Sequence, residues 1–567
     1  MVDDLTPLPP PLRREGELAA LTPSPPPLKG EGELDEARSQ APPLQRAGEL
    51  DGFTALAVRY PRTTAAFAAL PDGMARLAAV AALERRWQQA VGGGPPPDVL
   101  RQVRGALPVV AADHRYDVIV AGGGLGLLAG LALARFGWRV LVFDRDSVGA
   151  AHREWNISRR ELAVPVADGL FTWAELDRCV AGTYRYGTLA FDATGTGAPA
   201  TPLHLRGILD TALNAQALLT GVRDRFLAAG GTILEGRRFV RLHTATAGLV
   251  RNVVELTDAD GGPEQYGARL VIDMMGSISP IALALNGGQP FDGVCPTVGT
   301  VVRGLDAPAA VGDILVTVAG TQGGRQLIWE GFPGHAGETT VYLFYYDLAG
   351  PTTAPRQSLL DLYEQYFALL PTYRPLGPAF AHLRPVYGYI PARHGRQGVT
   401  AARGLICLGD AAAGQSPLTF CGFGSNTRHL ARVARQLDRA LRADQLEAHH
   451  LRPLGPYQPN LRPTWAFARL LQPWPGADPA AVNRLMNAFC RALRRVGPGP
   501  TRRFLQDRHT FADYLRILLT TAVLYPQVFL LTWRALGPRG LLRWLRDIAA
   551  FGVAAGRAGR GSRPGFD

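Results

Sequence analysis

Two short glycine-rich stretches and a handful of acidic residues carry most of the chemical information in this sequence. Ala121-Gly-Gly-Gly-Leu-Gly126 has the form A-x-G-x-x-G, directly after the apolar run Tyr116–Val120 and at the head of the helical Leu127–Phe136. In such a unit Gly123 lets the backbone approach a pyrophosphate and Gly126 lets the helix pack closely on the sheet. Gly122 and Gly124 complete the turn, and the helix N-terminus offers free N–H groups to the anion. Ala121 stands where the usual first glycine would be, which leaves the tightest turn position imperfect. A second β run, Arg139–Phe143, ends in Asp144, twenty-one residues after Gly123, where a carboxylate would take ribose hydroxyls, with Arg145 beside it. Together these residues predict a dinucleotide site.

A second strand-and-turn, Gly404-Leu-Ile-Cys-Leu-Gly-Asp-Ala-Ala-Ala-Gly414, resembles the far-C-terminal G-D motif of FAD-binding oxidoreductases. The resemblance implies that Gly409 and Asp410 meet the ribityl chain, and that the following helix aims its N-terminus at the isoalloxazine. Val271-Ile-Asp-Met-Met-Gly276 resembles a third motif of the same proteins, which places Asp273 and Gly276 near the cofactor. No second glycine fingerprint follows a strand, so a dedicated NAD(P) domain is not expected. A flavin here would be reduced by transient contact, with NAD(P)H a candidate external reductant, or by a partner.

The elements needed to position these motifs define an α/β chain. The expected fold is a Rossmann-like FAD-binding domain with an antiparallel-sheet substrate domain and a helical C-terminal region. Strands are expected at Thr232–Leu234, Leu270–Ile272 and Leu405–Leu408, with Gln326–Trp329 and Thr340–Tyr346 in the substrate sheet. Expected boundaries are 1–51 for disordered repeats, 52–114 for a helical extension and 115–430 for the FAD-binding domain. The substrate sheet is inserted at about 280–400, and 431–567 is helical and membrane-associating. The repeats are Leu5–Leu18, Leu21–Leu34 and a worn Pro42–Leu50, spaced by sixteen and mostly Pro, Gly and charge. Such segments bury too little apolar surface to offset their ordering entropy.

Composition narrows the chemistry. Of 60 basic residues only Lys29 is a lysine, which excludes a lysine nucleophile in the folded part and disfavours a flavin halogenase. Five scattered cysteines without a C-x-x-C pair argue against zinc ribbons and disulfide frameworks, and no metal site is expected. They fit a reducing cytoplasm, as does an N-terminus with Asp3, Asp4 and no apolar h-region.

After Asp410 the chain reads Gln415-Ser-Pro-Leu-Thr-Phe-Cys-Gly-Phe-Gly-Ser425, and Arg153-Glu-Trp-Asn-Ile-Ser-Arg159 follows the ribose-binding acid. With Trp329-Glu-Gly-Phe-Pro333 and Tyr387-Gly-Tyr-Ile-Pro391, these segments resemble the flavin-dependent lycopene cyclases of the CruA/CruP type, from about Tyr116 to Leu430. The first glycine is often replaced in that family, which accommodates Ala121. The resemblance adds Arg153, Pro417, Gly422 and Gly424 to the cofactor residues. It implies a reaction without net electron transfer: a lycopene end group is protonated, the carbocation closes a six-membered ring, and a proton leaves. Reduced FAD is required in related cyclases.

That chemistry needs an acid kept protonated in a dry, apolar tunnel. Glu330, in the strand Leu327-Ile-Trp-Glu330, is the first choice; a pairing with Arg325 is its bland alternative. Glu338 is second, in a segment that reads as a hairpin turn. Glu154 is a third, although Arg153 and Arg159 suggest a salt-bridged network. Trp155, Trp329, Tyr342, Phe344, Tyr345 and Tyr389 are candidate tunnel aromatics. Cys421 reads as a small space-filler in the flavin loop.

A polyene substrate calls for a membrane-facing surface. Thr501–Asp567 carries eleven Arg against four Asp, +7 of the net +12, and is strongly apolar, which favours lipid over nucleic acid as its partner. Ile517–Trp533 is charge-free but short for a span and broken by Pro526. Leu541, Trp544, Leu545 and Ile548, flanked by Arg539, Arg543 and Arg546, form one apolar helical face. The expected location is cytoplasmic and peripherally membrane-associated. The rivals to a cyclase are an FAD-dependent isoprenoid or carotenoid reductase or monooxygenase, and a non-catalytic flavin- and carotenoid-binding protein.

Overall fold

The computed structural model describes residues 54–560 apart from 106, 108–109, 152, 247–249, 290, 309, 395–397, 420–421, 456–457 and 475. The N-terminal repeats and Cys421 lie outside the described residues.

Val118–Val120 and Val140–Phe143 are continuous apolar runs, the pattern of strands covered on both faces, and all of these residues are buried. They belong to a parallel array in the order Thr232–Leu234, Val140–Phe143, Arg115–Ala121, Pro263–Asp273, Leu405–Cys407. Pro263–Asp273 also begins an antiparallel meander with Asn252–Thr257 and Arg238–Ala245. Leu100–Val103 pairs in parallel with Arg238–Ala245 at the edge. The helix Leu125–Ala134 is apolar around its circumference and buried apart from its first residue, the expected character of a helix sandwiched between sheet and outer helices.

An eight-stranded sheet forms the second layer, with Gly293–Leu305 pairing antiparallel to both Glu338–Phe344 and Leu376–Ala392. Its boundaries differ from the 280–400 insertion expected from the sequence, because Tyr186–Ala190 and Leu203–Leu205 join it from far upstream. Those strands are five and three residues long, too short to show a period.

The N-terminal helices Pro61–Ala68 and Gly73–Val91 do not merely lead into the main domain. They dock on the outer face of the second sheet beside Leu359–Tyr373. Trp87 stacks on Tyr389 at 4.2 Å and its indole donates to Gln357 at 3.0 Å. The C-terminal region is largely helical from Gly422 onward and ends in Phe511–Leu524 and Val528–Arg560, bent by 119° around Pro526, the latter broken at Gly537 (φ +62°) just before Pro538. Among the described residues no single helix is long and apolar enough to cross a membrane. Trp544 is buried and donates to the Pro463 carbonyl and the Tyr514 hydroxyl, each at 3.0 Å. The face expected to meet lipid therefore packs largely on the protein, and of its four members only Leu545 is exposed.

Candidate active site

The two layers meet around a cavity of about 380 Å³. On the first-layer side it is lined by Leu125 and Gly276, at the head of the glycine-turn helix and after the central strand. Gly409, Asp410 and Gly422 line it further along, and the second sheet closes it with Glu330, Phe332, Tyr342 and Phe344. The strand Glu154–Ile157 supplies a side wall through Glu154, Trp155 and Asn156.

The glycine turn is built as its sequence predicts, with one correction. Ala121 is the last strand residue, in register with Phe143 and Asp273, and needs no positive φ. The left-handed residue is Gly122, at φ +111°, where a Cβ would lie 2.4 Å from the Met274 carbonyl oxygen. A Cβ on Gly123 would meet Val148 at 2.8 Å, and one on Gly126 would meet Val120 at 3.0 Å, whereas Gly124 faces open space. Gly124 is the N-cap of the helix, with no side chain capping its N–H groups. Asp144 accepts the Gly123 N–H at 2.6 Å and the Asp146 N–H at 3.0 Å. Its carboxylate oxygens retain further lone pairs for hydroxyls. An open space before uncapped N–H groups, with a carboxylate at the neighbouring strand end, fits a pyrophosphate and its ribose. Arg145 is exposed and pairs with Asp146 at 3.1 Å.

Asp273 does not face the cavity. It is fully buried, accepting the Ser279 hydroxyl at 2.6 Å and the Met275 N–H at 3.1 Å, so it caps the turn after the central strand. Burial pushes its carboxyl up to about 6. Gly276, at φ +87°, does reach the cavity wall. Asp410 sits in a single turn of 3₁₀ helix, Gly409–Ala412. Burial raises its carboxyl above the usual range, offset by Arg153 and by a hydrogen bond from Gln415. The helix Gly422–Arg442 begins at the cavity with Gly422 and Phe423, and its N-terminus supplies a second cluster of N–H donors there. Gly424 lies two residues further along, where a Cβ would sit 3.2 Å from the Glu161 carboxylate that pairs with Arg428. Pro417 is buried in the preceding loop and does not line the cavity.

Glu330 lies opposite Tyr342 in the register of two antiparallel strands. Among the described residues it has no hydrogen bond or ion pair, and Arg325 instead donates to the Arg356 carbonyl. Burial pushes the Glu330 carboxyl up to about 8, and the Arg153 guanidinium offsets only part of that rise. A carboxyl in this state is mostly protonated at neutral pH. Burial also raises the Tyr342 phenol to about 12.

The two other candidate acids are paired with arginine. Glu338 opens its strand outside the cavity, paired with Arg384 at 3.1 Å and Arg303 at 3.6 Å. Glu154 lines the cavity but pairs with the same Arg384 at 2.9 Å and accepts the Thr340 hydroxyl at 2.6 Å. The expected links to Arg153 and Arg159 are not formed; Arg159 pairs with Asp177.

Of the six candidate aromatics, Trp155, Tyr342 and Phe344 line the cavity. Trp329, Tyr345 and Tyr389 project from the opposite face of the sheet, into the cluster with Trp87 and Tyr366. Alternation along each strand accounts for the split. The same alternation from Glu330 and Tyr342 would have found Phe332 and Tyr346, which also line the cavity. Phe423, 4.7 Å from Trp155 between ring centroids, carried no sequence signal beyond its motif.

No protein-family model matches this chain, and no curated protein matches it. Among solved structures it is similar to a geranylgeranyl bacteriochlorophyll reductase-like protein from Thermoplasma acidophilum, at 13% identity and a TM-score of 0.53. That match covers 73% of this chain and 98% of the other. It is also similar to a flavoprotein/dehydrogenase from Cytophaga hutchinsonii, at 12% identity and a TM-score of 0.50, over 73% and 98% of the two chains. This chain therefore shares the mixed α/β fold of these two proteins, with a parallel array of Rossmann type.

Proposed function

We propose that this protein binds FAD between the glycine turn, Asp144, Asp410 and the helix head at Gly422, and is a lycopene cyclase. The observation that carries this reading is Glu330: an unpaired carboxyl, raised to about 8, on the wall of the cavity that also holds Gly409, Asp410 and Gly422. Ring closure requires a neutral acid that can give up its proton; a reductase adding hydride and a proton to a double bond needs one as well, and nicotinamide consumption separates the two.

In this mechanism Glu330 donates its proton to the terminal double bond of a lycopene end group. The adjacent π-bond attacks the carbocation, closing the ring carbon–carbon bond, and a proton is lost from the neighbouring carbon. The Glu330 carboxylate left by the first step accepts that proton, so atoms and electrons balance without a co-reactant. Phe332, Tyr342, Phe344 and Trp155 exclude water, and their ring faces stabilise passing positive charge. Arg153 and the Arg384-held Glu154 fix the polar rim. Reduced FAD, when bound, supplies an electron-rich surface beside the cation.

The test is expression in a lycopene-accumulating bacterium, followed by chromatography of the pigments. The wild type converts lycopene to cyclic products and Glu330→Gln leaves it unchanged. Unchanged lycopene with the wild type sinks the reading. A second reading, an FAD-dependent isoprenoid reductase, draws on the fold likeness to the reductase-like protein. It requires nicotinamide consumption stoichiometric with product, which the cyclase does not.

A further inference from the structure

The outward surface of the C-terminal helix pair has the wrong character for a face in water. Leu519 and Val523 are 62% and 79% exposed, one turn apart on Phe511–Leu524. Phe529 and Trp533 are 68% and 52% exposed, one turn apart at the start of Val528–Arg560. Leu530, between them, is 52% exposed. The inner sides of the same helices are already occupied, with Ile517, Thr521, Val528 and Leu531 buried. Both helices are thus apolar inside and outside around the bend, where an amphipathic surface helix would turn polar residues outward. No charged residue occurs from Ile517 to Trp533.

Charge begins where this apex ends. Arg516, Arg534, Arg539, Arg543 and Arg546 are all exposed, although Arg543 also donates to the His394 carbonyl at 3.5 Å and both Arg543 and Arg546 act on the buried Asp547. The acids of these two helices, Asp513 and Asp547, are buried; Asp513 pairs with Arg503 at 2.6 Å and Asp547 accepts the Trp465 indole at 3.1 Å. The surface is an apolar tip with a cationic collar and no exposed carboxylate on either helix. A second copy docked tip to tip would bring the two collars together unopposed. An anionic lipid surface complements both parts at once.

We infer that the bend around Pro526 is a docking surface for an anionic lipid bilayer, with Leu519, Val523, Phe529, Leu530 and Trp533 entering the interface and the arginines meeting lipid phosphates. The bent pair lies in the interface and does not span. This surface is independent of the pigment chemistry, and its test reads no conversion of lycopene.

The experiment is flotation of the full chain with vesicles of phosphatidylcholine alone and of phosphatidylcholine with phosphatidylglycerol. The wild type floats with the anionic vesicles and is released by high salt. Phe529→Glu with Trp533→Glu weakens binding about ten-fold or more, and Arg534→Glu with Arg539→Glu removes the preference for anionic lipid by about ten-fold or more. Circular dichroism melting verifies that both variants fold, and the wild-type arm needs neither. A wild type that stays unbound overturns the inference. So does a dimer in light scattering that Phe529→Glu dissociates while vesicle binding is absent, since it assigns the tip to a second copy.

Discussion

Trp329 and Glu330 are consecutive residues of one strand, and they divide the eight-stranded sheet into two faces built on different rules. On the outer face Trp329 stacks on Tyr373 at 4.7 Å with the rings nearly parallel. The hydroxyls there find partners: Tyr373 donates to Asp313 at 2.6 Å, Tyr389 to the Gln357 carbonyl at 2.7 Å and Tyr345 to the Arg356 carbonyl at 3.1 Å. On the cavity face Glu330 has no such partner among the described residues, and burial pushes its carboxyl up to about 8. Buried polar groups are normally satisfied because leaving one unmade costs about 1–3 kcal/mol. Glu330 is instead partly exposed to the cavity, where its carboxyl can meet a ligand.

The contrast breaks most sharply at the acid. Glu330→Gln keeps the shape and removes the transferable proton, so conversion falls by about a thousand-fold in pigment assays while the protein stays folded. Trp329→Ala acts on the other face. It loses a buried aromatic stack and costs about 3–5 kcal/mol in denaturant unfolding, with cyclisation retained by whatever remains folded.

Arg384 sharpens the comparison among carboxylates, since it holds both Glu154 and Glu338. Arg384→Met leaves Glu154 buried without its cation, a loss of about 1–2 kcal/mol after allowing for the partial exposure of the arginine. Conversion falls far less than in Glu330→Gln.

The acid also carries a pH dependence. The folded Glu330 carboxyl titrates at about 8 against an ordinary 4.5, so the folded state holds more protons than the unfolded between those values. Its contribution to stability is complete below the lower value and is lost as pH rises through the upper, by up to about 1.4 kcal/mol per pH unit. The thermal midpoint of the wild type should fall relative to that of Glu330→Gln across this window. Parallel curves would mean that Glu330 is not raised.

Much of this arrangement was legible in the chain. The glycine turn with Asp144 and the G-D turn at Asp410 are local signals, because each needs a fixed backbone shape over a few residues, and each led to an element observed in the fold. Glu330 was legible as an acid in an apolar strand. Its isolation was not, since that depends on Arg325 turning toward Arg356 and on the register that sets Glu330 against Tyr342. Asp273 misled because a strand-end acid near a cofactor motif can turn inward as readily as outward. Trp329, Tyr345 and Tyr389 misled because aromatic type alone does not report parity along a strand. The apolar face containing Trp544 has the same periodicity whether it meets lipid or the protein core, and only packing separates the two.

The central claim is that this fold hosts a proton transfer with no net electron transfer, and the mass of the product measures it directly. Purified protein with reduced FAD and lycopene should give cyclic product of the same mass as lycopene in ordinary water, and one deuterium per ring in heavy water. A product that has gained two hydrogens, or an oxygen atom, with nicotinamide consumed in step, would contradict the account and make the protein a reductase or monooxygenase.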